Sequence, residues 1–454
     1  MMRFLAPCLM AMMAGCASVK PIEQPTRVQI AEAALPPAKS FGAPRPSAPT
    51  RSNKNIAADF LDLHFALESG TPLPVFTRFE EPITVRLTGT PTRSMQTDLT
   101  RVLRRIQREA GIDIRQISDG QANITIEAVS QKQIHRVLPQ AACFVVPNSS
   151  SLEEYRNDRR KRKSSWVELR SRERLGIFIP YDASPQEIRD CLHEELAQAL
   201  GPLNDLYRLP DSVFNDDNFH TVLTGFDMLI LRTAYSPELQ NGMTRDQVAQ
   251  VLPGVLRRLN PRGDRIAYQP VTDTPRAWIR SVQRALGPGA GNARRLRAAQ
   301  QAADIGQEQG WTDHRRAYPH YLLGRMQQFD DPDAAQRQYE IALQYLNTKP
   351  GTDVHRAHIT AQTAANALAD GRGPEALPEI DQAINVMMQA ENAALLATLM
   401  LLKSEAMRQA GRTDQARTVR LDSIGWARYG FGSDVVVRSV SQGVAQRTAS
   451  NTNG

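Results

Sequence analysis

One helix in this chain is fenced at both ends. Ser184-Pro185 opens the segment PQEIRDCLHEELAQAL (185–200), and Gly201-Pro202 closes it. A serine hydroxyl at the cap accepts from a free first-turn amide, and proline fits that turn because it has no amide to leave unpaired. Glycine followed by proline halts the helix. Directly upstream runs RLGIFIP (174–180), rich in β-branched and aromatic residues and ended by proline, which reads as a buried strand. A buried strand feeding a capped helix of about four turns demands a layered domain in which both elements share one core.

The same alternation extends upstream. ITVRLTG (83–89) alternates with period two, NITIEAV (123–129) reads as a strand, and AACFVVPN is a further apolar segment. Between them, RSMQTDLTRVLRRIQREAG (93–111) places Leu99, Val102, Leu103 and Ile106 on one helical stripe, with Gly111 as its stop. Residues 55–286 are thus expected to form an α+β domain, a mixed sheet with two long helices and a helical extension. GPGAGN (287–292) reads as a linker.

Beyond it the chain is helical and periodic. Ala335, Ala376 and Ala416 recur about forty residues apart, followed at fixed offsets by Tyr339, Ile380 and Arg420, then by Ala342, Ala383 and Ser423. Small residues at fixed points let paired helices approach closely while large ones fill the space between. Residues 293–432 therefore resemble a tetratricopeptide-like all-α array, the alternative being an ordinary helical bundle. Residues 433–454 read as a flexible tail.

The amino terminus addresses location. MMRFLAPCLMAMMAGCASVK has a basic residue, an apolar run too short to span as a stable helix, and small residues before Cys16. This resembles a bacterial lipoprotein signal (residues 1–15), with Cys16 as the acylated residue; the alternative is an ordinary cleaved signal. Ala17 after that cysteine resembles the outer-membrane sorting class, which implies a lipid anchor in the cell envelope, on the outer membrane and facing the periplasm. Residues 16–54, rich in Pro, Ala, Ser and Thr, read as a disordered tether. Cys143 and Cys191 are the cysteines left over, and an oxidising compartment favours a disulfide between them over two buried thiols. The net charge of +7 is modest. Behind an export signal, the run Arg159-Arg160-Lys161-Arg162-Lys163 reads as a solvated loop or a contact with lipid headgroups, and nucleic acid is not an expected partner.

Function is concentrated in residues 191–215. An HExxH motif starting at His193 fails, because position 197 is alanine. Shifted by one residue, Glu194-Glu195-x-x-Gln198-x-x-Gly201-x-x-Asn204-Asp205 follows the metzincin pattern HExxHxxGxxH/D position by position. Ser212 and Phe214 resemble a Met-turn without its methionine, and LTGFDMLILRTAY (223–235) resembles the closing helix of that fold. With YSPELQNGM (235–243), the arrangement is similar to an uncharacterised domain family of bacterial envelope proteins. The resemblance places Glu194, Gln198, Asn204 and Asp205 at metal-ligand positions and Glu195 at the catalytic position. Zinc prefers imidazole and thiolate, so this oxygen set implies lost zinc chemistry, with a hard divalent cation as the only cofactor to consider. The expectation is a degenerate, metzincin-like peptide- or protein-binding domain with helical repeats as a second docking surface. The alternative is an envelope metallohydrolase using Glu195 as general base. His193 is expected on the surface, and His220 is a distant ligand only if the fold returns it to the site.

Overall fold

The computed structural model describes residues 35–448 apart from 43, 45, 218 and 288. The leader, Cys16 and the first part of the expected tether lie outside the described residues. The first domain runs α1 (Asn53–His64), β1 (Ile83–Gly89), α2 (Arg93–Arg105), β2 (Ile114–Ile117), β3 (Ile124–Val129), α3 (Gln131–Val137), β4 (Phe144–Pro147), α4 (Leu152–Asp158), β5 (Leu175–Pro180), α5 (Pro185–Leu200), α6 (Gly225–Ala234) and α7 (Arg245–Leu259). A short π-helical turn, Ile106–Ala110, extends α2 to Gly111.

The strands form one five-stranded sheet in the order β2-β1-β3-β5-β4. β1, β2, β3 and β5 run parallel, and edge strand β4 is antiparallel to β5. The domain is therefore mixed α/β, with helical crossovers, rather than having strands and helices segregated. Every residue of β5 is buried because both faces are covered. On one face Leu175, Ile177 and Ile179 share a core with Leu99 and Val102 of α2 and Leu192 and Leu196 of α5. On the other, Phe178 packs with Ile134, Phe144 and Leu152.

Helix α5 carries the caps the sequence implies: Ser184 accepts from the amide of Glu187, and Pro185 occupies the first turn. Cys143 and Cys191 form a disulfide with Cα atoms 6.0 Å apart, tying the approach to β4 onto α5. At its far end α5 is capped by the buried Arg172, whose guanidinium donates to the carbonyls of Gln198 at 2.6 Å, Ala199 at 2.8 Å and Gly201 at 2.5 Å. Three of the carbonyls a helix end leaves unpaired are thereby satisfied without water.

The second region comprises α8 (Arg276–Leu286), α9 (Asn292–Glu308), α10 (His314–Gln327), α11 (Pro332–Leu346), α12 (Asp353–Ala369), α13 (Gly373–Gln389), α14 (Ala393–Gln409), α15 (Thr413–Phe431) and α16 (Asp434–Thr448). Successive helices packed on one another give it a helical-repeat-like character. Ala335, Tyr339 and Ala342 on α11 are fully buried, and Ile380 and Ala383 on α13 and Ser423 on α15 repeat that inward register. Arg420, at the same offset, is exposed.

Three boundaries differ from the sequence reading. Residues 287–292 join two helices packed on each other, α8 and α9, and Arg295 donates to the carbonyl of Ala285 at 2.7 Å. Residues 434–448 form α16 instead of a free tail. The stretch before α1 is bound to the body over its described part. Phe41 is buried against Trp426, ring centroids 4.6 Å apart, and Lys39 pairs with Asp422. Short non-helical segments can be held this way when one aromatic side chain finds a pocket, whatever their composition.

Among the described residues no helix is long and apolar enough to cross a membrane. The basic run 159–163 lies in the loop after α4, where Lys161 and Lys163 pair with Asp158 and Arg162 with Glu168.

Candidate functional site

Helix α5 ends at Gly201, where an added Cβ would lie 2.8 Å from His64 Nε2, so only glycine permits this approach to α1. The chain then runs along α1: Leu203 N–H donates to the Leu63 carbonyl at 2.9 Å, and Asn204 Nδ2 donates to the Asp62 carbonyl at 2.9 Å. It next folds back on itself, with Leu206 N–H donating to the Phe214 carbonyl at 2.9 Å. Phe214 is fully buried in the core that also contains Leu196, Ala197 and Leu200 of α5. Ser212 and Asp227 lock the turn. Ser212 Oγ donates to Asp227 Oδ1 at 2.5 Å, while Oδ2 accepts from the amides of Val213 at 3.2 Å and Thr224 at 2.8 Å. Burial pushes the Asp227 carboxyl up to about 6, against the pull of those hydrogen bonds.

The residues named from the sequence divide between two surroundings. Glu194, Gln198 and Asp205 converge, joined by Glu68, which sequence reasoning missed. Glu68 sits at the tip of a tight 66–72 loop closed by the Leu67 amide on the Thr71 carbonyl at 2.9 Å and pinned by Arg276 on its own carbonyl at 2.7 Å. Its carboxyl lies near enough to Glu194 and Asp205 for the charges to raise one another. Asp216 completes the group and accepts from Tyr207 Oη at 2.8 Å. Asn204 is withdrawn from the set, because its amide is spent on α1.

Like charges and burial act together here. Glu194 is pushed up to about 8 by burial first and then by Glu68, Asp216 and Asp190. Burial, then Glu194 and Glu68, hold Glu195 well above the usual carboxylate range, and Asp205 is raised by burial, Glu68 and Glu194. Glu195 is 4% exposed, and its Oε2 has no partner among the described residues. A carboxyl in that state is shifted toward its protonated form.

Among the described residues no group of three or more His, Cys, Asp or Glu is arranged to hold a metal ion, and the Asn204 amide is engaged on α1.

Two histidines depart from expectation. His193 is buried, and its Nδ1 accepts from the Leu223 amide at 3.2 Å, so it braces the returning loop from within. His220 stays away from Glu194 and faces His355 of α12, ring centroids 6.2 Å apart.

The helical region reaches this same loop. Phe219 packs on Tyr321 of α10 at 5.4 Å and on His355 and His358 of α12, both at 4.5 Å. His355 Nε2 meets Asp217 Oδ2 at 3.0 Å, and Tyr318 Oη donates to the Asp217 carbonyl at 3.1 Å. On α5 itself, Arg189 pairs with Glu391, and Gln186 accepts from the Ala393 amide at 2.9 Å. This face of the array is occupied by the first domain and so is not a free docking surface. The sequence carried no signal for that, because the contacts join segments far apart in the chain.

Comparison with known proteins adds a family without a function. Residues 53–254 match the family model described as "Protein of unknown function (DUF2927)", which opens where α1 opens and closes within α7. No curated protein and no solved structure matches the chain. The chain carries a DUF2927 domain over residues 53–254, followed by a helical C-terminal region.

Proposed function

We propose that the protein is a lipid-anchored cell-envelope binding protein, held through Cys16 on the periplasmic side of the outer membrane. Its first domain keeps a metzincin-like scaffold and has given up zinc chemistry. What supports the scaffold reading is the combination of a mixed sheet backed by α2 and α5, a chain reversal beneath α5 at Phe214, and a closing helix whose Asp227 locks that reversal. The single observation that supports the loss of zinc chemistry is Asn204, whose side-chain amide is spent on the Asp62 carbonyl of α1 at 2.9 Å.

The adjoining recess, about 220 Å³, is lined by Asp62, Glu68, Asp205 and Tyr207 together with Arg208 and Arg276. Crowded carboxyl groups that hold protons in isolation release them to solvent when a cationic neighbour arrives. The ligand the site suits is therefore a peptide or protein segment bearing a lysine, arginine or free amino terminus. The helical array braces the recess from behind, and the faces that the first domain leaves uncovered, such as that around the exposed Phe329, serve as the second docking surface.

Two measurements on the full chain test this reading. Protein purified without chelator should carry no stoichiometric metal, and Glu195→Gln should leave any hydrolysis of envelope peptides unchanged. A photo-crosslinking residue at Ala66, on the recess rim, should capture a partner in cells, and Glu68→Lys should abolish the capture. Tightly bound metal lost together with an activity in Glu195→Gln would refute the binding reading in favour of a hydrolase.

A further inference from the structure

The sheet face turned away from α2 and α5 is thinly covered. α3 and α4, seven residues each, lie on it and turn Ile134, Val137 and Leu152 inward onto Phe144 and Phe178. Their outer sides meet solvent. Lys132 and Arg136 on α3 and Arg156 on α4 are exposed, as is the whole run 159–163 that follows α4. Residues 131–163 hold eight lysines and arginines against three acids, Glu153, Glu154 and Asp158, so +5 of the chain's net +7 falls in this one stretch.

Little within the fold answers that charge. Glu154 is engaged by Arg174 at 2.8 Å, and Asp158 is shared by Lys161 and Lys163. The neighbouring carboxylates of Glu127 and Asp182 accept from the amides of Leu152 at the start of α4 and Gln131 at the start of α3, at 2.6 and 2.8 Å. Arg162 meets Glu168 at 2.7 Å, but both side chains are exposed, and such a pair holds weakly against a competing anion. Lys132, Arg136, Arg156 and Arg160 have no partner among the described residues. A face of one sign, left unneutralised by its own fold, concentrates anions in front of it.

The chain enters the folded body beside the α3 end of this face. Asp182, which holds the first turn of α3, is two residues from Ser184, and a Cβ added to Gly432 would lie 3.4 Å from the Ser184 Cα. Just past that turn Asp434 pairs with Arg428 at 3.1 Å, and Arg428 donates to the Pro36 carbonyl at 2.8 Å. Twenty residues separate Pro36 from Cys16, a reach of at most about 70 Å. An anchor at Cys16 therefore keeps this face at high local concentration beside whatever the anchor enters.

We propose that the α3–α4 face docks on an anionic bilayer, with its lysines and arginines on lipid phosphates. The face is made of the backs of two helices and a loop, which suits a planar array of phosphates better than a single anion. The proposal rests on the lipid-anchored reading for the presence of the bilayer and adds an orientation to it. The sheet then stands between the lipid and α5, which leaves the acidic group of α5 on the far side, away from anionic headgroups. Clusters of four to eight lysines and arginines beside a membrane anchor bind anionic lipid in this way, each adding about fivefold to the affinity.

Vesicle cosedimentation of the full chain carrying Cys16→Ser, which cannot be acylated there, tests the face apart from the anchor. Phosphatidylcholine vesicles containing phosphatidylglycerol should bind it at least about a hundredfold more tightly than phosphatidylcholine alone. That preference should vanish near 1 M salt, where charges are screened beyond about 3 Å. Neutralising Lys132, Arg136, Arg156 and Arg160 together with glutamine should lower the preference at least about tenfold while the thermal midpoint is retained. The same change at Arg294, Arg297, Arg417 and Arg420, exposed on the helical array, should leave it within about twofold. Equal binding to both vesicles, a face variant matching the unsubstituted chain, or a control variant falling as far as the face variant would overturn the proposal. Binding of soluble inorganic polyphosphate through the same four residues without binding to the vesicles would assign the face to a soluble polyanion and overturn the bilayer. Mass analysis of Cys16 in the wild-type chain separates the two readings: an acyl chain with no phosphatidylglycerol preference refutes the face alone, and a preference without an acyl chain refutes the anchor alone.

Discussion

Replacing Glu194 with glutamine removes one charge from the crowded carboxyl cluster while keeping side-chain shape. The folded chain holds the Glu194 carboxyl at about 8, against an ordinary value of 4.5, chiefly because it is buried and next because Glu68 and Asp216 lie close. A raised carboxyl value means that the folded state binds more protons than the unfolded state between those limits. Stability is then fully present below about 4.5 and falls as pH climbs toward 8. Each pH unit corresponds to about 1.4 kcal/mol, so a span of 8 − 4.5 = 3.5 units sets a ceiling of about 5 kcal/mol. The protonated carboxyl and the amide are near-isosteres, so wild type and Glu194→Gln should be nearly equal at pH 5. At pH 8.5 the variant should be more stable, by about 2 kcal/mol or more within that ceiling. Urea unfolding of the full chain at both pH values measures this directly. Parallel profiles for the two proteins, or a variant less stable than wild type at pH 8.5, would refute the electrostatic account of the cluster.

Three further outcomes follow from the same structure. Replacing Cys143 and Cys191 together with alanine opens a 48-residue separation and should cost about 4 kcal/mol in the chain-entropy picture; a urea midpoint unchanged from wild type would contradict it. Arg172→Met strips the buried cap from three carbonyls at the end of α5 and should cost about 3 kcal/mol or more, with faster hydrogen exchange in the 196–201 amides as the local signature. Phe219→Ala empties the aromatic socket on α10 and α12 and should cost about 3–5 kcal/mol, with limited proteolysis between residues 205 and 224 as the check; resistance equal to wild type would show that the array does not brace this loop.

What was legible in the sequence was whatever a local pattern carries. β3, β5 and α5 are long enough for periodicity and capping to act within one stretch, and Ser184, Pro185 and Gly201 stand where the helix begins and ends. β2 was missed because IRQI has four residues, two of them exposed at the sheet edge, so no alternation accumulates. α16 was missed because Val435 and Val436 are exposed β-branched residues at its start, which a propensity argument counts against a helix. The site divides by the same rule. Glu194, Gln198 and Asp205 were readable because they share one contiguous motif. Glu68, Asp216 and Arg172 arrive from separate loops, and only the fold brings them to α5.

The burial of His193 corrects its expected place on the surface. A one-sided apolar stripe assumes that one face of the helix meets water. Here the sheet lies along one side, the returning 201–224 loop along another, and Arg189 and Gln186 meet the residues leading into α14. A helix enclosed in this way must place its polar side chains where partners already wait, and His193 is so placed. Glu195 is the exception, with one carboxyl oxygen buried and unpartnered beside the acidic group. Its proton is then the least costly way to satisfy the helix. Any partner that delivers a positive charge to Glu68 and Glu194 lowers the repulsion that holds that proton, so partner binding and proton release at this helix must be linked.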